Sequence, residues 1–295
     1  MKSSVSRIGV IGGSGLYAME GFEVHDEIAV ETPYGDPSDQ FVLGEVDGTS
    51  VAFLARHRRG HHFPPSDVPY RANIYGFKTL GVANLFSVSA VGSLRKEIEP
   101  MHMVIPDQFV DRTRGRVATF AEPGAVVHVA MADPVCSRLG ALLGDAGHAE
   151  AVTIHEGGTY LCIDGPQFST RAESQLYRSW GMSVIGMTNA TEAKLAREAG
   201  IGYATLAMAC DYDCWHDEHD DVTAELAMNN LMNSVGNAQR VLRRAIAACP
   251  ADAPSSCGDA SRALITAPDQ TAASKRQRLS ILFDSLLPEN SKEPE

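Results

Sequence analysis

Several short stretches of the sequence combine residue types that could carry out chemistry. The first is IGGSGL at residues 11–16, which lies at the end of an apolar run. Glycines let successive backbone N–H groups turn toward one anion and the Ser14 hydroxyl adds a donor, so the stretch favours phosphate binding. A glycine-rich turn without a ligand is the alternative. The spacing GxGxxA at residues 13–18 also fits a loose dinucleotide-binding pattern, so a nucleotide-binding or oxidoreductase domain is a more remote alternative.

The second stretch is ARHRRGHH at residues 55–62, a local excess of positive charge. Its arginines offer planar N–H forks that match phosphate oxygens. It follows an apolar run, and open α/β sheets bind their ligands at strand ends. The sequence therefore predicts an anion site here, with a solvated basic loop as the alternative.

Two carboxyl groups, Asp211 and Asp213, follow another apolar run. A carboxyl group in such surroundings can have a raised pKa and act as a general acid. A zinc site is the rival interpretation, although the spacing C-x3-C-x-H-x2-H is not an established one and no metal is expected. Its ligands would be Cys210, Cys214, His216 and His219.

A fourth stretch, DGPQFSTRAES at residues 164–174, has both structural and chemical interpretations. Ser169 or Thr170 followed by Glu173 predicts a capping box at the start of a helix. Phe168, directly before it, could stack on a base or a sugar, or lie in the core.

Hydrophobic periodicity predicts an α/β fold that would position these stretches. Short apolar runs alternate with segments of helical period, which indicates a mixed or parallel sheet with helices on both faces. The predicted strands cover residues 7–11, 40–43, 51–54, 84–89, 103–106, 183–187 and 202–208. The predicted helices cover residues 72–80, 134–146, 171–180, 190–198 and 223–248.

The C-terminal part of the sequence differs in composition from the rest. Residues 250–263 are rich in Ala, Asp, Pro, Ser and Gly, as in a linker or insertion. Residues 272–287 have helical period, with an apolar stripe that must dock on the chain's own core or on a neighbouring subunit. The stripe consists of Leu279, Leu282, Phe283 and Leu286. Residues 288–295 are charged and expected to fray.

Composition excludes several classes of protein. The chain has 295 residues, and 25 Lys+Arg against 37 Asp+Glu give a formal net charge of −12, which argues against nucleic acid as a partner. Hydrophobic residues make up 44%, enough for a core and too many for a disordered chain. No apolar run approaches the roughly 18 residues of a membrane helix. Early glycines argue against a secretory signal, and six cysteines, mostly in apolar stretches, suggest free thiols, so a cytoplasmic location is expected.

Seven ordered motifs carry a resemblance to a known family. They are IGGSG at 11–15, TPYGDPS at 32–38, ARH at 55–57, YRANI at 70–74, AVGSL at 90–94, DQFVDRT at 107–113 and GPQFSTRAE at 165–173. Together they strongly resemble the 5′-methylthioadenosine phosphorylases of the trimeric purine nucleoside phosphorylase family. The resemblance runs from about residue 8 to residue 215 and then weakens.

The resemblance implies a fold, a reaction and an assembly. The fold would be a single-domain phosphorylase fold over residues 1–249, with a central mixed sheet, followed by a linker at 250–263 and a C-terminal helix and tail at 264–295. The reaction would be phosphorolysis of 5′-methylthioadenosine to adenine and 5-methylthioribose 1-phosphate, in purine and methionine salvage. Inorganic phosphate would be a co-substrate, without metal or organic cofactor, and the active sites would lie at subunit interfaces of a homotrimer. A broader or 6-oxopurine phosphorylase, acting on methylthioinosine, inosine or adenosine, is the alternative.

The same resemblance assigns site residues by position. The phosphate site would contain Ser14, Arg56, His57, Ser89, Ala90 and Thr188, with His61 nearby. The sugar would rest on Met187, and the base would meet Phe168, Ser169, Asp211, Tyr212 and Asp213. The 5′ pocket would combine Ser169 and Ala224 with His128 and a C-terminal leucine, Leu282 or Leu286, of a neighbouring subunit.

The two aspartates also indicate which purine is expected. Asp211 would give a proton to N7 of the leaving purine, with Asp213 orienting it or sharing the exocyclic group. Carboxylates accept hydrogen bonds from the 6-amino group of adenine, whereas a 6-oxopurine would prefer an asparagine. Ala224 stands where the related enzymes commonly have a larger branched residue, which implies a wider 5′ pocket and some activity on adenosine.

Overall fold

A mixed β-sheet with helices packed on it forms the framework of the chain. The computed structural model describes residues 6–13, 15–16, 19–216, 224–251, 265–267 and 270–283, apart from the side chains of residues 224, 226 and 227. The strands in these ranges are Arg7–Gly12 (β1), Phe22–Ile28 (β2), Phe41–Val46 (β3), Thr49–Ala55 (β4), Val82–Ser93 (β5), Met103–Ile105 (β6), Gln108–Asp111 (β7), Ile154–Glu156 (β8), Thr159–Cys162 (β9), Val184–Gly186 (β10) and Gly202–Asp211 (β11). The helices are Tyr70–Thr79 (α1), Ser137–Ala149 (α2), Arg171–Ser179 (α3), Asn189–Glu198 (α4), Ala224–Ala248 (α5) and Ala273–Leu279 (α6).

The sheet branches at its longest strand, β5. One path runs β2-β3-β4-β1-β5-β10-β9-β7, while β11 pairs with β5 and leads to β6 and β8. β1 and β11 run parallel to β5, β4 runs parallel to β1, and β10 pairs antiparallel with the end of β5. Because parallel strands share one carboxyl edge, the ends of β1, β4, β5 and β11 place their following residues close together.

The central strands are covered on both faces, which explains their continuous apolar sequences. Successive side chains of a strand point to opposite faces. In β1, Val10 belongs to a buried cluster that includes Leu139 of α2 and Leu242 of α5. Its neighbour Ile11 belongs to a second cluster on the other face, with Phe77 of α1 and others.

The predicted elements before residue 250 are confirmed, with ends shifted by a few residues. Four strands were not predicted. β2 is a mostly exposed edge strand of sequence FEVHDEI, which lacks an apolar run. β7 and β8, of sequence QFVD and IHE, are only partly buried and lack an apolar run, and β9 has only the four residues TYLC.

The predicted C-terminal helix at 272–287 is wrong in extent. α6 ends at Leu279, and the chain then turns so that Leu282 and Phe283 enter the same buried cluster as Leu279. The Tyr75 hydroxyl donates to the Arg278 carbonyl oxygen at 3.0 Å, and the Ile265 N–H donates to the Val126 carbonyl oxygen at 2.8 Å. The described part of the tail therefore docks on the chain's own core, while Leu286 lies outside the described residues. None of the described helices is long and apolar enough to span a membrane.

Candidate active site

The glycine-rich loop follows β1 beside the end of β4. A Cβ on Gly12 would lie 2.6 Å from Leu16 Cδ1 and 3.2 Å from the Val88 carbonyl oxygen, so close packing against β5 requires glycine here. The Gly12 carbonyl oxygen accepts a hydrogen bond from the Arg56 N–H at 2.9 Å. No atom that the structure describes outside the adjacent residues lies within 4 Å of a Cβ built on Gly13. Ser14 and Ala18 lie outside the described residues.

Arg56, directly after β4, forms a buried ion pair with Glu192 of α4. Its Nε and Nη2 donate to the two Glu192 carboxylate oxygens at 2.5 and 3.1 Å, and the two side chains are only 3% and 1% exposed. Nη2 also donates to Ser87 Oγ at 2.7 Å and Nη1 to the Val88 carbonyl oxygen at 2.9 Å. Burial by itself lowers the pKa of Arg56, but the Glu192 carboxylate outweighs it and raises that pKa above its ordinary value. The contacts use four of five guanidinium N–H groups, which leaves one on Nη1 without a partner among the described residues.

Glu192 was missed by sequence reasoning. The sequence does contain a signal for it. Glu192 lies on the same face of α4 as Leu195 and Ala196, and an acidic side chain on an apolar face needs a buried partner.

His57 is held as a neutral ring. Its Nδ1 lies 2.8 Å from the Phe63 carbonyl oxygen, and because that oxygen only accepts, Nδ1 carries the proton. Its ring stacks on His61 with centroids 4.4 Å apart. Burial, assisted by the Arg56 charge, lowers the pKa of His57 to about 4. At neutral pH the His57 Nε2 is therefore a hydrogen-bond acceptor.

The basic stretch 55–62 does not act as one anion-binding cluster. Arg59 lies on the surface, where it donates to Glu27 at 2.8 Å and to Asp39 at 3.1 Å. The side chains of residues 58, 61 and 62 are also exposed. Of the six basic residues, Arg56 and His57 are the two drawn inward, so the prediction of an anion site narrows to them.

The remaining predicted phosphate residues lie next to this ion pair. The carbonyl oxygen that Arg56 contacts belongs to Val88, directly before Ser89 and Ala90 in β5. Ser89 Oγ is buried without a close hydrogen bond among the described residues, although it lies near enough to the Tyr160 hydroxyl to lower the pKa of that tyrosine. A buried hydroxyl without a close hydrogen bond costs about 1–3 kcal/mol, so this atom favours a ligand or a water.

Thr188 is the N-terminal flanking residue of α4, whose first turn also carries Glu192. Its hydroxyl donates to Asn189 Oδ1 at 3.1 Å and does not cap the helix. Through Glu192, the N-terminus of α4 is anchored to Arg56. A helix N-terminus favours negative charge, so it adds to the anion-binding character of this end of the site.

Asp211 and Asp213 form the second part of the site. Asp211 is the last residue of β11 and is buried, and its Oδ1 accepts the Asp213 N–H at 2.8 Å. Burial raises the pKa of Asp211 to about 6, and the Asp213 charge adds to this effect, while the Asp213 N–H opposes it. Burial also raises the pKa of Asp213, while the nearby Ser174 and Ser169 hydroxyls act in the opposite direction. The pair can therefore hold a proton near neutral pH, as the sequence predicts.

A bulge and a glycine allow the two carboxyl groups to sit against β5. The register between β11 and β5 shifts between Ala209 and Asp211, which pairs Asp211 with Gly92. A Cβ on Gly92 would lie 2.8 Å from Asp211 Oδ1 and 3.4 Å from Asp213 Cβ. Only glycine at position 92 leaves room for this arrangement.

Two side chains of α3 contact the segment that follows Asp213. Its Arg171 donates to the Cys214 carbonyl oxygen at 2.9 Å, and its Arg178 guanidinium lies 3.5 Å from the centre of the Trp215 ring. Thr170 opens α3 with the predicted capping box. Cys214 Sγ lies 3.3 Å from the Ser169 carbonyl oxygen, which joins this segment to the stretch that carries Phe168 and Ser169.

Phe168 and Ser169 precede α3 and differ in their exposure. Phe168 is 43% exposed, so the alternative that places it in the core is wrong. Ser169 Oγ is buried, and its hydroxyl acts on the Asp213 carboxylate, whose pKa it lowers. Met187 follows β10 and packs on Gly165, where a Cβ would lie 2.4 Å from its sulfur.

The other predicted residues are placed as follows. Tyr212 is buried, its hydroxyl donates to the Lys96 carbonyl oxygen at 3.3 Å, and its ring stacks on His216. His128 is exposed on the irregular segment between β7 and α2. Ala224 begins α5, but its side chain is not among the described ones.

The described residues contain no group of three or more His, Cys, Asp or Glu side chains that could hold a metal ion. The Cys210 and Cys214 thiols point to carbonyl oxygens instead, at 3.4 Å from Met208 and 3.3 Å from Ser169. His219, the last of the four conceivable zinc ligands, lies outside the described residues.

Comparisons with known proteins give one consistent family. The family model described as "Phosphorylase superfamily" matches residues 7–247. S-methyl-5′-thioadenosine phosphorylase of Thermosynechococcus vestitus is 52% identical over 96% of this chain and 99% of its own, and that of Geobacter sulfurreducens is 52% identical over 94% and 98%. A crystal structure of methylthioadenosine phosphorylase from an antarctic soil metagenomic library matches at a TM-score of 0.90 and 49% identity, covering 97% of this chain and all of that one. The methylthioadenosine phosphorylase of Schistosoma mansoni, in complex with adenine, matches at a TM-score of 0.79 and 35% identity, covering 82% and 91%.

Proposed function

Since the chain belongs to the phosphorylase superfamily, we propose that it is a pentosyltransferase that cleaves 5′-methylthioadenosine with inorganic phosphate. The products are adenine and 5-methylthioribose 1-phosphate, which places the enzyme in purine and methionine salvage. The observation that carries the proposal is the buried Asp211–Asp213 pair opposite Gly92 in a chain 52% identical to enzymes of that name.

The phosphate end of the proposed site consists of Arg56, Ser89, Ala90 and Thr188, with Ser14 of the glycine loop and His57. Because His57 Nε2 is an acceptor at neutral pH, it would receive a hydrogen bond from the P–OH group of hydrogen phosphate. Breaking the C1′–N9 bond builds positive charge on the ribose, and a phosphate held against C1′ both stabilises that charge and forms the new C1′–O bond. The remaining Nη1 N–H of Arg56, the buried Ser89 hydroxyl and the N-terminus of α4 support this assignment.

The leaving purine needs a proton at N7, and Asp211 is the proposed donor. A pKa of about 6 lets part of the Asp211 population carry that proton near neutral pH. The buried Asp213 carboxylate accepts a hydrogen bond from the 6-amino group, which favours adenine over 6-oxopurines. Phe168, Ser169 and Tyr212 complete the base side.

The sugar and its 5′ substituent complete the substrate. The ribose rests on Met187, which Gly165 holds in place. The 5′ pocket consists of Ser169 and Ala224, with His128 and a leucine of a neighbouring subunit in a homotrimer. Leu282 is buried in its own chain, so Leu286 is the proposed leucine.

Three broader proposals accompany this function. The phosphorylase domain covers residues 1–249, which agrees with a family match that ends at residue 247, and the linker at 250–263 and the part from 264 to 295 follow it. The enzyme needs no metal or organic cofactor, because phosphate and the carboxyl pair supply the chemistry. It works in the cytoplasm, without a nucleic acid or membrane partner.

A substrate panel tests the function. The initial rate of adenine release from methylthioadenosine is measured with and without phosphate, beside adenosine, inosine and methylthioinosine. We expect phosphate-dependent release from methylthioadenosine, slower release from adenosine and little hypoxanthine from the two 6-oxo nucleosides. Equal rates with and without phosphate would indicate a hydrolase, and a preference for inosine would favour a 6-oxopurine phosphorylase. A thermal shift with NAD, and none with phosphate plus adenine, would favour the dinucleotide-binding alternative.

A further inference from the structure

Arg116 is a buried arginine to which the proposed reaction assigns no role. It lies on the irregular segment between β7 and α2, and its side chain is only 3% exposed. Its guanidinium donates to the Met187 carbonyl oxygen at 2.5 Å and to the Asp164 carbonyl oxygen at 2.7 Å. Weaker contacts extend the set, namely Ser66 Oγ at 3.2 Å, the Tyr70 hydroxyl at 3.3 Å and the Ile163 carbonyl oxygen at 3.4 Å. The nearest carboxylate, that of Asp164, is 3.7 Å from Nε.

The two strongest contacts hold segments that enter the site from different strands. Asp164 follows β9 and leads to residues 165–170, which carry Phe168 and Ser169 at the base end. Met187 follows β10 and leads to Thr188 and α4 at the phosphate end. One planar cation therefore joins the segments that lead to the two ends of the site.

The contact with Met187 also sets the direction of a phosphate-end donor. The peptide unit between Met187 and Thr188 is planar, so its carbonyl and its N–H point in opposite directions when the peptide is trans. Because the Met187 carbonyl points at Arg116, the Thr188 N–H points away from Arg116. Gly165 packs against the Met187 side chain, so the 163–166 turn also contacts the residue whose carbonyl oxygen Arg116 holds.

We propose that Arg116 is a positioning residue that holds the Met187–Thr188 peptide and the residue 163–166 turn in the spacing that phosphate and nucleoside require together. This inference rests on the proposed phosphorolysis. A guanidinium suits the task because its donors diverge in one rigid plane, whereas a lysine ammonium is a single point. The Arg116 guanidinium is held by carbonyl oxygens and has no directly bonded carboxylate in the described part of the chain. Hydrogen bonds from a charged donor to these carbonyl oxygens are stronger than those from a neutral donor.

The test compares Arg116→Met, Arg116→Lys and the control Arg114→Met. Arg114 lies on the same segment with an exposed side chain, and its backbone N–H contact with the Asp164 carboxylate at 3.1 Å survives the substitution. We measure kcat and both KM values, and phosphate binding by calorimetry. KM does not depend on the amount of folded enzyme, so both KM values can still be measured for a variant that is partly unfolded.

We expect Arg116→Met to raise the KM for phosphate and the KM for methylthioadenosine about 10- to 100-fold each, as the loss of charge-assisted hydrogen bonds would. Arg116→Lys should give smaller increases in both, weaker phosphate binding should appear by calorimetry, and Arg114→Met should match the wild type. Unchanged KM values in Arg116→Met with active wild-type enzyme would overturn this inference alone. A rise in only one KM would overturn the link between the two ends, whereas a wild type inactive on methylthioadenosine would overturn the proposed function.

Discussion

Gly92→Ala is a small perturbation aimed at the proton donor. The new Cβ would lie 2.8 Å from Asp211 Oδ1, 3.1 Å from Ile185 Cγ2 and 3.4 Å from Asp213 Cβ. Since carbon and oxygen atoms ordinarily stay about 3.3 Å apart, the Asp211 carboxyl must move by roughly 0.5 Å. β5 and β11 are fixed by their ladder, so the carboxyl, not the strand, has to yield.

The size of the effect follows from this displacement. A misplacement of about 1 Å at a catalytic group can cost about 100-fold in rate, so roughly 0.5 Å predicts a loss of about 10-fold in kcat. Overpacking should lower the free energy of unfolding by about 1–3 kcal/mol. The expected result is a folded enzyme with a lower melting temperature and a kcat reduced at least as strongly as kcat/KM for phosphate.

The assay is adenine release from methylthioadenosine at saturating phosphate, with thermal unfolding followed by circular dichroism. Gly236→Ala is the matched control, because no described atom beyond the surrounding helix backbone and chain neighbours lies within 4 Å of the Cβ that it would add to α5. It should keep wild-type kcat and gain about 0.5–1 kcal/mol of stability from helix propensity. A Gly92→Ala enzyme with wild-type kcat would refute the placement of Asp211 as the proton donor.

Three further substitutions test separate parts of the site. Glu192→Gln should lower the free energy of unfolding by about 3–5 kcal/mol in chemical denaturation, because Arg56 would stay buried without its counter-charge, whereas the exposed Glu27→Gln should cost less than about 1 kcal/mol. Asp211→Asn should abolish most turnover yet raise stability at pH 7 by up to about 3 kcal/mol. Burial raises the pKa of Asp211 to about 6, so the wild type loses stability between about pH 4, where the unfolded chain ionises, and pH 6, and the gain of the variant should vanish below about pH 4 in melting curves. Asp213→Asn should raise the inosine-to-adenosine rate ratio about 10-fold or more, and an unchanged ratio would contradict its role in recognising the base.

Features that depend on neighbouring residues could be predicted from the sequence. The Thr170 capping box is set by Thr170 and the next three residues, so it can be read directly from the sequence. The Asp211–Asp213 pair is visible in the sequence as two acidic residues at the end of an apolar strand. Strands buried on both faces show continuous apolar runs, which is why β1, β5 and β11 were predicted and the edge strand β2 was not.

Features that depend on distant partners could not be predicted. Arg56 meets Glu192 across 136 residues, and Arg116 meets Met187 across 71. Nothing local distinguishes Arg116 from the exposed Arg114 two positions earlier, because burial arises only when β9 and β10 come together. The docking of the C-terminal tail likewise depends on a core surface built by α1 and the segment after β7.

The most direct test of the central claim is the fate of the phosphate itself. Wild-type enzyme is incubated with methylthioadenosine and ³²P-labelled inorganic phosphate, and adenine and labelled sugar phosphate are quantified together. The account predicts one labelled phosphate ester of 5-methylthioribose for each adenine released, and no adenine when phosphate is omitted. Adenine released without incorporation of label would contradict it.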